Sequence, residues 1–94
     1  MSSAKLDKAA TVLKAVAHPT RLKIVCLLGE FKKMSVTEIS EKTACEQSLV
    51  SHHLTNLKAK KILEIKREGK NIYYSLSDRH LLNIIKCINN CKSI

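Results

Sequence analysis

The sequence predicts a mainly α fold carrying one small β-hairpin, an α+β domain. Three observations point there. Apolar residues recur at helical spacing from residue 4 to about residue 58, the period drops to two on either side of Glu68-Gly69-Lys70-Asn71, and a helical period returns after Ser77. The 94 residues suffice for one domain, expected over 1–94, and not for two. An apolar content of 45% is that of a folded chain rather than a disordered one.

The elements follow in order. Residues 4–17 place Leu6, Ala9, Ala10, Leu13, Val16 and Ala17 on one helical face. That helix stops ahead of Pro19, because the residue before a proline avoids the α region. Pro19 suits the first turn of a second helix, expected to reach about Leu28 and to be ended by Gly29, with Ile24, Val25, Leu27 and Leu28 as core. Residues 29–34 are expected to form a loop. Ser35-Val-Thr-Glu38 is a capping box that opens a third helix over about 36–43, with Val36, Ile39 and Ser40 inward. A turn around Ala44-Cys45 leads into a fourth helix, about 46–58. Leu49, Val50, Leu54 and Leu57 make its apolar stripe, and Ser48, Ser51, His52 and Thr55 lie on the other side. Two short helices joined by such a turn form a helix-turn-helix whose second helix reads the ligand.

After Lys61, Leu63, Ile65 and Arg67 alternate with Glu64, Lys66 and Glu68, and Ile72, Tyr74 and Leu76 alternate with Tyr73, Ser75 and Ser77. This two-stranded hairpin, about 62–77, would hold Arg67 and Lys70 at its tip and act as a wing. Ser77 or Asp78 caps a last helix, about 78–91. Its Leu81, Leu82, Ile84, Ile85 and Ile88 are too broad a set for one intramolecular stripe, and a second copy would cover the excess. The expected architecture is therefore a winged helix-turn-helix of five helices and a two-stranded wing.

Charge narrows the function. Seventeen Lys and Arg against eight Asp and Glu leave +9, which calls for a polyanionic partner. Nucleic acid comes first, an anionic membrane surface second, and a merely basic soluble protein is the plain alternative. No apolar run approaches the about 18 residues of a spanning helix, and Met1-Ser-Ser-Ala-Lys5 lacks a signal-peptide core, so a cytoplasmic protein away from membranes is expected. Phe31, Tyr73 and Tyr74 are too few aromatics for base-stacking platforms, which favours duplex DNA over single strands. Gln47, Ser48, Ser51, His52 and Thr55 suit the donors and acceptors of a major groove. Lys58, Lys60 and Lys61 suit phosphates, and Arg67 and Lys70 suit phosphates or the minor groove. His53 diverges by about 100° from His52 and is expected to face the body. Glycine-rich phosphate loops, nucleophile elbows and Glu-flanked histidine pairs are absent from the sequence, which argues against an enzyme.

Three runs carry a family resemblance. Ala15-Val-Ala-His-Pro-Thr-Arg-Leu-Lys-Ile24 resembles the proline-containing entry to the second helix of ArsR/SmtB transcriptional repressors. Gln47-Ser-Leu-Val-Ser-His-His-Leu54 resembles their recognition helix, and Lys61–Leu76 resembles their wing. The resemblance covers about residues 6–91 in the right order and spacing. Glu46 departs from it, standing where a serine usually opens the recognition helix. The resemblance implies a homodimer built from the first and last helices. It further implies repression from an inverted-repeat operator, relieved by an inducer. The two reading helices would then lie one DNA turn, roughly 34 Å, apart.

Three inducer chemistries compete. The resemblance implies a transition-metal site beginning with an Asp-x-His pair, which Asp78-Arg79-His80 matches; Cys91 falls on the third ligand position and Ile94, which cannot ligate, on the fourth. The family's other metal site, a Cys-x-Cys in the third helix, is missing, since Glu38–Glu41 contains no cysteine. Persulfide sensors of the family carry a reactive cysteine at the position of Cys26 and a second near Cys87 or Cys91, so a thiol switch is the second chemistry. Cys87 and Cys91, at i and i+4 on one helical face, would serve an arsenite-like ion as the third. The plain alternatives are a helix cap for Asp78, a surface site for His80, and packing roles for Cys26 and Cys87. Cys45 sits beside the recognition helix, where modification would obstruct DNA. A ligand-independent regulator, or a protein-interaction module that has lost sensing, is the alternative function.

Overall fold

Helical order begins at Ser3 in the computed structural model, which describes residues 3–78 together with Leu81 and Asn83. Helix α1 (Ser3–Ala15) buries Val12 and Ala15, with Val16 just beyond its end. The face expected from the sequence divides in two. Leu6 and Leu13 remain 54% and 43% exposed, and Ala10 between them is exposed too. Helix α2 (Pro19–Phe31) starts at the proline, with His18 as N-cap accepting the Thr20 N–H on Nδ1 at 3.3 Å. It buries Ile24, Val25 and Leu28 and leaves Leu27 half-buried.

Gly29 does not end this helix. The chain continues helically to Phe31 and breaks at Lys32, whose φ of 66° is left-handed. A glycine inside a helix costs about 1 kcal/mol relative to alanine, which the buried residues of the same helix outweigh. The loop expected over 29–34 is replaced by the helix end and a two-residue strand, β1 (Lys33–Met34).

Helix α3 (Val36–Thr43) has both halves of its capping box: Glu38 N–H donates to Ser35 Oγ at 3.2 Å, and Ser35 N–H donates to Glu38 Oε1 at 3.0 Å. Ile39 and Thr43 are its buried residues; Val36 and Ser40 are half-buried. Thr43, one turn after Ile39, joins the inward face although the expected set omits it. It is satisfied locally, donating to the Ile39 carbonyl at 2.8 Å. Ala44, at φ 55° and ψ 36°, supplies the left-handed turn into helix α4 (Gln47–Ala59).

Strands β2 (Leu63–Glu68) and β3 (Asn71–Leu76) form the hairpin, in register from Leu63 opposite Leu76 to Glu68 opposite Asn71. Gly69, at φ 65°, takes the left-handed position that the two-residue turn needs. The sheet has three strands rather than two, ordered β1-β3-β2, with Lys33 opposite Ser75 and Met34 opposite Tyr74. A two-residue strand has no period to read, so only the fold reveals it.

Ile24, Val25, Leu28, Ile39, Val50, Leu54, Leu57 and Ile62 are fully buried and join α2, α3, α4 and the start of the wing in one core. Each such side chain contributes about 1.5–3 kcal/mol on burial. Leu81 closes the same core, while the rest of the helix expected over 78–91, Asp78 and Asn83 apart, lies outside the described residues. Ser35→Ala should cost about 1 kcal/mol of stability, read as a lower urea midpoint at unchanged slope. An unchanged midpoint would show that the capping box does not anchor α3.

Candidate nucleic-acid interface

Helix α4 is fixed from below by apolar burial and by one polar clamp. Val50, Leu54 and Leu57 are fully buried, and His53 joins them at 4% exposure. Leu49, expected in the apolar stripe, does not, being 45% exposed, whereas His53 faces the body as expected. Arg21 of α2 reaches across to form a fork. Its Nε donates to His53 Nδ1 at 3.0 Å and its Nη1 donates to Asn56 Oδ1 at 3.1 Å. Sequence pattern alone does not single out Arg21 or Asn56. The signal for Arg21 lies in the His18-Pro-Thr-Arg21 run, which carries the family resemblance but reads as no more than a helix start.

The clamp also sets the state of His53. A nitrogen that accepts from a guanidinium carries no proton, so the neutral ring holds its proton on Nε2, a buried atom with no partner among the described residues. Burial is the main cause that holds its pKa below the usual histidine value, followed by the Arg21 charge and by His18 and His52. The rings of His18 and His53 are 4.8 Å apart, and those of His52 and His53 are 5.9 Å apart.

The opposite side of α4 is open. Ser48, Ser51, His52 and Thr55 are exposed, and their side chains make no hydrogen bond among the described residues. Gln47 is exposed and donates from Nε2 to Thr37 Oγ1 at 3.4 Å, a long hydrogen bond that ties it to α3. Glu46 is the N-cap of α4 without a side-chain cap bond, so the first turn keeps its backbone N–H groups unspent by that side chain. Lys58 lies in the last turn of α4, and Lys60 and Lys61 form the corner into β2, with Lys61 at φ 61°. Ser77 secures that corner, its hydroxyl meeting the Lys61 carbonyl and lying 3.0 Å from that of Ile62. Arg67 and Lys70 are exposed at the tip of the hairpin. Glu68, the carboxylate beside them, is neutralised by an ion pair with Lys33 of β1. All ten residues expected to meet DNA are thus exposed along one helix, the corner after it and the hairpin tip.

The sensing residues are less assembled. Cys26 and Cys45 are half-buried and pack against the core, and Cys45 Sγ lies 3.5 Å from the Thr43 carbonyl. Asp78 is half-buried, with Oδ2 3.5 Å from Lys8 Nζ, and its carbonyl accepts the Leu81 N–H at 3.1 Å. His80, Cys87 and Cys91 lie outside the described residues. Among the described residues, no group of three or more His, Cys, Asp or Glu side chains could hold a metal.

Residues 18–64 match the model of the bacterial regulatory protein, arsR family. The chain is 42% identical over 84 residues to the transcriptional repressor PagR of Bacillus anthracis, covering 89% of this chain and 84% of PagR. The chain belongs to the ArsR family. Its fold agrees: the crystal structure of PagR superimposes with a TM-score of 0.83 at 39% identity, over 93% of this chain and 99% of PagR. The homodimeric winged helix-turn-helix DNA-binding domain of Mb0332 from Mycobacterium bovis gives a TM-score of 0.80 at 28% identity, over 99% of this chain and 88% of that domain. A cadmium resistance transcriptional regulatory protein, the CadC homolog of Staphylococcus aureus, is 34% identical over 77 residues, covering 82% of this chain and 64% of the CadC homolog. The ArsR-family assignment makes the chain a transcription regulator and not an enzyme, and the winged helix-turn-helix expected from the sequence is the fold it has. No described helix is long and apolar enough to cross a membrane.

His53 makes stability pH-dependent. Because its pKa is lower folded than unfolded, the unfolded chain takes up the proton first. Stability is therefore full above the unfolded value of about 6.5 and falls as pH drops below it, until folded His53 itself protonates. Urea midpoints between pH 7.5 and 5.5 should fall more steeply for the wild type than for His53→Gln, whose amide oxygen can still accept from Arg21. Parallel profiles would refute the assignment.

Proposed function

We propose that this ArsR-family protein is a homodimeric, sequence-specific repressor that binds an inverted-repeat operator and is released by an inducer. The observation that carries the DNA-reading part is the open polar row Ser48, Ser51, His52 and Thr55, held outward by the Arg21 clamp beneath it. Gln47 flanks that row, Lys58, Lys60 and Lys61 reach phosphates beside the groove, and Arg67 and Lys70 follow the backbone or enter the minor groove. The homodimer is supported by the exposed Leu6, Ala10 and Leu13 stripe of α1, by the broad apolar set at 81–88 in the sequence, and by the homodimeric state of the Mb0332 domain. The operator's two-fold symmetry follows from that of the dimer.

The inducer is a metal or metalloid ion, or a reactive sulfur or oxidant species. A metal bound by Asp78, His80 and Cys91 would compete with Lys8 for the Asp78 carboxylate. The cadmium resistance named for the CadC relative favours ion chemistry. A thiol switch would use Cys26 with Cys87 or Cys91, and an arsenite-like ion would use Cys87 and Cys91. The same fold without an inducer, a ligand-independent regulator, is the second reading.

Two measurements test this. Replacing Lys58, Lys60 and Lys70 with alanine should lower the slope of log affinity against log salt by about 0.9 for each phosphate no longer neutralised; an unchanged slope would remove them from the interface. Release from operator DNA, titrated with zinc, arsenite and a persulfide donor, identifies the inducer. Loss of the zinc response in His80→Ala selects the metal site, and loss of the persulfide response in Cys26→Ser selects the thiol switch. Release by none of them selects the ligand-independent regulator.

A further inference from the structure

We infer that Leu49 is a specificity-determining residue that reads a thymine methyl group in each half-site; this rests on the DNA-reading role of α4 proposed above. Leu49 lies in the first turn of α4, the end that reaches base edges when such a helix enters the major groove. It is 45% exposed, although the same helix buries Val50, Leu54 and Leu57 completely. At about 100° per residue, it sits about 60° around the helix from His52, at one edge of the open polar row. Asn56 shares that edge, but its carbonyl oxygen is taken by Arg21. The edge therefore presents an apolar group where a hydrogen-bonding one is already engaged.

Side-chain length points the same way. Ser48, Ser51 and Thr55 carry short hydroxyls, so reading with them brings the α4 backbone close to the bases. At that depth the longer Leu49 side chain must also meet the groove floor and lose its water. The donors and acceptors of that floor would be left unpaired against a leucine; the C5-methyl of thymine is the apolar exception. A docking site for another protein would need a contiguous apolar patch, and Leu49 is instead bordered by exposed Ser48 and His52.

A duplex selected from random sequence for binding to the whole protein supplies the probe. Each thymine of its half-sites is replaced in turn by deoxyuridine, which removes the methyl group and leaves the hydrogen-bonding edge unchanged. One position per half-site should weaken wild-type binding about fourfold, the transfer cost of one methyl-sized group. Leu49→Ala should bind the thymine duplex more weakly and lose the penalty at that position alone, and Leu49→Met should keep it. If the protein selects a duplex and Leu49→Ala shows the same deoxyuridine penalties as the wild type, or if the wild type shows none, the inference is overturned while DNA reading survives. If no duplex is selected, both are overturned.

Discussion

A helix that reads another molecule must be immobile on one side and unencumbered on the other, and here a single guanidinium from α2 reconciles the two demands. Arg21 spends two donors on His53 and Asn56. A forked set of hydrogen bonds from one charged group is directional in a way that packing is not. Val50, Leu54 and Leu57 fix how deep α4 sits; the fork fixes how it is turned about its own axis. That rotation decides which side chains face outward, and so it decides whether Ser48, Ser51, His52 and Thr55 form a row at all. The arrangement needs His53 neutral, because a protonated Nδ1 would oppose the guanidinium with a second donor.

The charge of the chain is distributed in keeping with this geometry. Lysines occupy the end of α4, the corner after it and the hairpin tip, while the carboxylate nearest the tip, Glu68, is drawn back to Lys33 of β1. The short strand β1 thus has two consequences. It ties the hairpin to the end of α2 through Met34, and it carries the cation that keeps Glu68 from opposing the tip's charge. The apolar surface shows a comparable division. Val12 and Ala15 bind α1 to the body, and Leu6, Ala10 and Leu13 remain exposed on its other side.

Much of the fold was legible because its signals are local. The capping box at Ser35–Glu38 marked the start of α3, Pro19 the start of α2, and Gly69 the hairpin turn, each through backbone chemistry that no distant group overrides. The alternation over Leu63–Leu76 marked the hairpin for the same reason. Gly29 misled, since a glycine stops a helix only where the packing lets it, and Ile24, Val25 and Leu28 carry α2 past it. Leu49 misled as well: at the boundary of an amphipathic face, hydropathy alone cannot say whether a leucine is covered.

By itself, then, the sequence determined the order of the four helices and the hairpin, the family and the cationic character, and it nominated the polar and basic side chains that the fold leaves exposed, since composition, period and capping are properties of neighbouring residues. Only the tertiary structure decided that Leu49 stays exposed, that Arg21 and Asn56 clamp α4, and that Lys33–Met34 completes the sheet. Each of those depends on groups far apart in the chain, whose meeting is set by the packing of α2, α4 and the hairpin around one core.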